Sequence, residues 1–280
     1  MDNEVFVIVI FAAFLHASWN ALVKNHDDKY LGLSAIVFGQ IPIALILIFY
    51  VPFPSLESLP YLILSAFIHN GYYFFLLSSY RFGDYSVVYP ISRGFAVILI
   101  AIISLILFAV KLSYFELIGI LIVCVGIFSL SFQNSSRLKN YKGIIYSLAT
   151  GVFIMSYSLV DGYGARLNGS FLSYMAYLFP IEGLLFLVLL KLIKKKEIIK
   201  KIIKNSKFSF FVGGTISSLV YILIVWAFTK APIPLITTLR ETSIIFALII
   251  GAFFLKEKFT SLKIFAVLSI FLGVVFLKFF

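Results

Sequence analysis

Ten runs of about twenty apolar residues each take up nearly the whole chain, and no other feature limits its folding as much. They lie near residues 4–23, 31–51, 60–80, 85–109 and 113–132. After a polar break, Asn134 to Lys142, five more follow near 143–163, 171–190, 208–229, 232–255 and 260–279. At 1.5 Å of rise per residue, a run of about 20 residues crosses a hydrocarbon core of roughly 30 Å. Alternating segments of about ten residues would signal barrel strands, and these runs are too long and too rich in Leu, Ile and Phe for that. The chain reads as an all-α integral membrane protein of ten transmembrane helices. Its composition of 62% hydrophobic and 12% charged residues leaves no stretch for a soluble domain beside them.

The opening MDNEVFVIVIFAAF carries Asp2 and Glu4 where a secretory leader would carry Lys or Arg, so the first helix reads as uncleaved. Cys124 is the single cysteine, which excludes an intrachain disulfide and a multi-cysteine metal cluster. A net charge of +11 would suggest nucleic acid in a soluble protein. Here the bases gather in loops, above all in KLIKKKEIIKKIIKNSK at 191–207, which reads as an interfacial segment held to anionic lipid. Lys24, Lys29, Arg81, Arg137, Lys139, Lys142, Lys256, Lys258 and Lys263 also follow odd-numbered runs, whereas even-numbered runs are followed only by Lys111, Arg166 and Lys230. The positive-inside rule then makes the odd-to-even loops cytoplasmic and turns both termini outward. The expected location is the cytoplasmic (inner) membrane.

Shifting the chain by 147 positions lays residues 94–132 over 241–279 without a gap, and carries Arg93 onto Arg240, Lys111 onto Lys258 and Gly126 onto Gly273. Nearer the front, a shift of 137 lays NALVK (20–24) over YSLVD (157–161). The chain thus divides into two repeats, 1–134 and 141–280, of five spans each. Five is odd, so the second repeat enters the membrane from the other side, as in secondary transporters that bind substrate between inverted halves.

Both arginines fall near the midplane. A guanidinium there stays charged and offers a planar fork to a carboxylate, phosphate or sulfonate, so Arg93 and Arg240 are the leading binding candidates; permanent pairing with Glu241 or Glu182 is the competing reading. Glu241 points about 100° away from Arg240 along the helix, while Thr237 shares its face. His16, Trp19 and Asn20 share one face of the first helix, and His69, Tyr72 and Tyr73 one face of the third, with Asn70 beside them. These residues and Tyr89 are candidates to line a pocket for an amphipathic solute; aromatic belts and interhelical hydrogen bonds are the alternatives. Glu182, Glu241 and His69 are candidates for carrying a coupling proton. Asp161 reads as structural, near a helix end. Pro90, one turn before Arg93, reads as a kink that gives the fourth helix a place to bend; Pro232 and Pro234 read as helix-start residues. Gly119 with Gly126, and Gly213 with Gly214, read as close helix packing.

The segments HASWNALVK (16–24), HNGYYFFLLSSYRFGDYSVVYPISRG (69–94), YSLVDGYGAR (157–166) and TLRETSIIFALIIGAFFLKEK (238–258) resemble EamA-type members of the drug/metabolite transporter superfamily over essentially the full length. That resemblance implies two inverted five-helix EamA repeats around a central cavity open to one side at a time. Members carry amino acids, nucleotide sugars, sugar phosphates and other metabolites, and their termini are cytoplasmic, opposite to the loop reading. The acidic residue usual near the end of the fourth span is replaced by Ala109, Val110 and Lys111, while its second-half counterpart, Glu257, is present.

The sequence holds no HExxH, GxSxG or P-loop motif, so no enzyme, cofactor or metal is expected. The expected function is secondary transport of a small organic metabolite bearing an anionic or zwitterionic group, with the proton as candidate coupling ion, lipid as surrounding partner, no nucleic acid, and a monomer or homodimer as the unit. A lipid-carrier flippase, a non-transporting membrane subunit and a membrane enzyme are the alternatives.

Overall fold

Hydrocarbon offers no water to backbone N–H and C=O groups, and this chain satisfies them with helix almost throughout. A computed structural model describes residues 1–24, 28–132, 141–193, 197–254 and 260–279. The sequence readings on Arg137, Lys139, Lys256, Glu257 and Lys258 lie outside these residues. Ten helical spans are long and apolar enough to cross a membrane, and no strand occurs among the described residues.

The first span is α1 (Asn3–Lys24) and the second is α2 (Lys29–Gly39) with α3 (Ile41–Ile48). The third to fifth are α4 (Leu59–Phe82), α5 (Tyr85–Ile106) and α6 (Tyr114–Ser129). The sixth and seventh are α7 (Tyr141–Asn168) and α8 (Phe171–Leu192), followed by the short α9 (Ile198–Asn205). A π-helical turn, Ser209–Gly213, leads into α10 (Gly214–Lys230) to form the eighth span. The ninth joins α11 (Ile233–Arg240) to α12 (Ser243–Phe254), and the tenth is α13 (Ser261–Phe279).

The helix starts follow local chemistry. Asp84 caps α5 through the Ser86 N–H, and Ser113 with Glu116 forms a reciprocal capping box on α6. Pro232 and Pro234 open α11, where a missing N–H costs nothing. Pro90 does not interrupt α5. The interruptions fall elsewhere, at Gln40 in the second span and at Glu241–Thr242 in the ninth. There the N–H groups of Glu241 and Thr242 bond to carbonyls only three residues back, Thr238 O at 3.1 Å and Leu239 O at 3.0 Å.

Helix pairings come in matched couples. α1 packs on α10 as α7 packs on α4, and α1 packs on α12 as α7 packs on α5. α6 against α13, and α3 against α8, pair equivalent spans of the two halves. These are two inverted five-helix repeats. Around them Phe11, Phe67, Leu121, Leu184, Leu268 and Phe271 point outward as the lipid face. In α9, Ile198 and Ile202 turn onto a cluster with Leu31, Ala35 and Phe186, while Lys200 and Lys201 face out, as an interfacial helix requires.

Where α6 meets α13 the backbones touch. A Cβ on Gly119 would lie 2.9 Å from Gly273 O, and one on Gly273 would lie 2.7 Å from Gly119 O. A Cβ on Gly126 would lie 3.1 Å from Ala266 O. In the repeat register Gly126 corresponds to Gly273 and Gly119 to Ala266, so the two contacts are images of each other. Small residues let the helices close to this distance. Gly273→Val is therefore expected to destabilise the folded protein by about 1–3 kcal/mol through overpacking. Leu268→Val, on the lipid face of the same helix, should be near neutral; thermal unfolding in detergent compares the two.

Candidate functional site

Polar side chains that the sequence scatters through apolar spans meet in two connected spaces. The larger, of about 370 Å³, is a vestibule lined by His16, Asn20, Asp84, Tyr85, Tyr89, Pro90, Ser243 and Lys263. It reaches the face that carries Arg81, Lys142 and Lys263. His16 also borders a smaller inner chamber of about 90 Å³ with Trp19, Gln40, His69, Tyr72, Tyr73, Arg93, Tyr157, Glu182, Ser217, Tyr221 and Arg240 in its wall. Spans one to four and six to nine all contribute to that wall.

The two arginines have opposite surroundings. Arg93 donates from Nε to Glu241 Oε2 at 3.0 Å and from Nη2 to Glu241 Oε1 at 2.6 Å, a bidentate pair with both residues buried. The break at Glu241 ends α11 and turns this carboxylate off the Arg240 face and onto α5. Arg240 is only 4% exposed, and its Nε and Nη2 have no hydrogen-bond partner among the described residues. Burying such donors without partners is costly. In the repeat register the position equivalent to Glu241 is Gly94, which explains why Arg240 lacks the acid that Arg93 has.

Across the chamber His69 stands between two carboxylates. Its Nε2 is 3.1 Å from Asp161 Oδ2, its Nδ1 is 3.9 Å from Glu182 Oε1, and its ring is stacked on Tyr157 at a centroid distance of 4.2 Å. Asp161 also accepts hydrogen bonds from Tyr174, at 3.0 Å, and from Tyr221; Glu182 accepts one from Tyr73. Asp161 and Glu182 are almost fully buried.

Most of the residues singled out in the sequence face these spaces, but four do not. Asn70 turns away, its amide donating to Ala66 O at 2.8 Å and Glu182 O at 3.1 Å. Thr237 bonds back to Ile233 O within α11 at 2.9 Å. Glu241 lies behind the chamber on Arg93. Asp161 is no loop-proximal residue, because α7 continues to Asn168 and holds it deep in the bundle. Tyr157, Tyr221 and Gln40, whose Nε2 donates to Ser217 Oγ at 3.1 Å, were missed. Gln40, a lone amide in the apolar run IVFGQIPIAL, was the one of these with a signal in the sequence.

The opposite face is closed by bonds between the halves. Asn168 Oδ1 accepts from Ser55 N at 2.8 Å and Ser58 Oγ at 2.9 Å, and Ser173 Oγ donates to Pro52 O at 2.8 Å. Arg166 ties α7 to the end of α10 through Phe228 O and Ala231 O. A separate cleft there, bordered by Tyr163, Arg166 and Lys230, shares no wall residue with the inner chamber.

Two packed repeats around a polar chamber are an arrangement that sequence comparison can name. The model of the EamA-like transporter family matches residues 141–279, from the start of α7 almost to the end of α13. The chain belongs to the EamA-like transporter family. No curated protein matches the sequence. A solved structure titled only "Crystal structure of protein" superimposes with a TM-score of 0.77 at 14% identity, over 99% of this chain and 97% of its own. That likeness is one of fold alone, and it takes in both halves of the chain. An EamA protein is a membrane transporter rather than an enzyme, and the chamber just described is where this one has polar groups to offer a solute.

The Arg93 pair ties α5 to the break in the ninth span. Glu241→Ala leaves a buried guanidinium uncompensated and is expected to cost about 3–5 kcal/mol, whereas the apolar double replacement Arg93→Met with Glu241→Leu should recover most of the loss. Unfolding of the wild type and these two variants in detergent measures this.

Proposed function

We propose that the protein is a secondary transporter of the cytoplasmic membrane that moves a small organic metabolite with an anionic or zwitterionic group by alternating access. The unpartnered Arg240 carries this reading. A buried guanidinium with free donors, facing a chamber beside the vestibule, is costly when empty and relieved when a carboxylate or similar oxyanion occupies it. The Trp19 Nε1 donor, also without a partner, lies in the same wall and suits the same kind of group. Tyr72, Tyr157 and Tyr221 add apolar faces for the organic part of the solute.

The vestibule opens on the basic face, which the positive-inside rule assigns to the cytoplasm, while hydrogen bonds between the halves close the other face. This fits the inward-open member of an alternating pair, with Ser55, Ser58 and Asn168 as the contacts that separate in the other state. A chamber of about 90 Å³ suits a molecule of a few heavy atoms at this stage of closure.

A thermal-shift screen of metabolites against the purified protein selects the stabilising solute, and counterflow in proteoliposomes then measures its movement. Arg240→Met is expected to reduce flux at least about tenfold, the equivalent of one lost charge-assisted hydrogen bond. Its melting temperature without solute should change little, because the cost of the unpartnered donors and their attraction to the carboxylates across the chamber are lost together. Undiminished flux in Arg240→Met would refute the anion reading.

A further inference from the structure

The chamber's charges do not balance in every state of occupancy. Arg93 and Glu241 cancel each other. What remains is Arg240 on one wall and Glu182 on the other, with Asp161 buried behind the wall and His69 between the two carboxylates. A proton shared by His69 and Asp161 gives this cluster one net negative charge, which Arg240 offsets across the chamber. A second negative charge arriving on Arg240 upsets the balance at a depth where net charge is expensive. One further proton restores it.

The geometry also distinguishes the group that takes it. Asp161 accepts from three donors on three helices, His69 of α4, Tyr174 of α8 and Tyr221 of α10, so its oxygens are already committed. Glu182 accepts from Tyr73 alone among the described residues, and it borders the chamber, where water and solute arrive. Around it stand His69 and Tyr73 of α4, Tyr157 of α7, Tyr221 of α10 and, from the far wall, Arg240 of α11.

We infer that Glu182, set against His69 and Asp161, is a proton-binding site in the wall of the solute chamber, and that an anionic group on Arg240 and a proton on Glu182 bind together. The proton comes from chamber water onto a carboxylate oxygen and returns to water on release, with no other bond changed. Linkage is mutual, so a proton gradient would drive the anion and an anion gradient the proton. A zwitterion brings its own positive charge and would need no such proton. The binding site stands on the cluster itself; only its use in coupling rests on the transporter reading.

The full chain in lipid nanodiscs tests this without any flux, so failure here and failure of transport are separable results. Infrared difference spectra recorded as the pH is lowered across the range in which the protein stays folded should show a protonated-carboxyl signal that is lost in Glu182→Gln. Tyr73→Phe, which keeps the ring and removes the donor, should displace that signal along the pH axis and serves if the glutamine variant folds poorly. In weak buffer with a pH dye, added formate should draw protons from the medium, and this uptake should be lost in both Glu182→Gln and Arg240→Met. A carboxyl signal that survives Glu182→Gln overturns the site. Formate that draws no proton into the wild-type protein overturns the linkage.

Discussion

A charge placed among hydrocarbon chains must find a partner or a pool of water, and the interior of this protein is arranged around that demand. Five charged side chains, Arg93, Asp161, Glu182, Arg240 and Glu241, sit deep in the bundle with His69. Two of them, Arg93 and Glu241, solve the problem with each other by a two-pronged contact across the junction of the halves. That pair fixes where the ninth span breaks and which way its acid points. It also removes one of the two arginines from the list of free groups, so the chamber has a distinct cationic wall at Arg240 and a distinct anionic wall at Glu182, with Asp161 behind it.

This polarity departs from the symmetry of the backbone. The helix pairings repeat faithfully, yet a glycine at 94 faces a glutamate at 241 in the repeat register. The fourth span runs unbroken through Pro90 while the ninth divides, and the second divides at Gln40 while the seventh runs through Pro180. The inverted scaffold supplies the cavity. The departures from it supply a cavity with two unlike sides, which a strictly symmetric pair of arginines could not.

Much of this was legible in residues alone. Run length decided the ten spans because hydrocarbon thickness leaves no other solution. Placing Arg93 and Arg240 at similar depth required only the ungapped register, and the i, i+3, i+4 spacing grouped His16 with Trp19 and His69 with Tyr73, all four of which border the inner chamber. Partner choice was not legible. Glu241 was placed off the Arg240 face, but nothing local said that it would cross to a helix 148 positions away. Asp161 was misread because the sixth apolar run was ended too early: Gly162, Gly164 and Arg166 look like a loop, and tertiary packing keeps them helical to Asn168. Asn70 and Thr237 share faces with cavity residues yet spend their polar atoms on nearby carbonyls, a competition that spacing does not reveal.

The glycine contact between α6 and α13 has a consequence for how the molecule is made. Its partners are separated by more than half of the chain, so the flank of the fifth span that carries Gly119 waits through the synthesis of five more helices before its cover arrives. During that interval the first half presents a shallow, small-residue furrow to lipid or to the insertion machinery. Closing it is the task of α13, so the first half cannot finish its packing until the second half has followed it into the membrane.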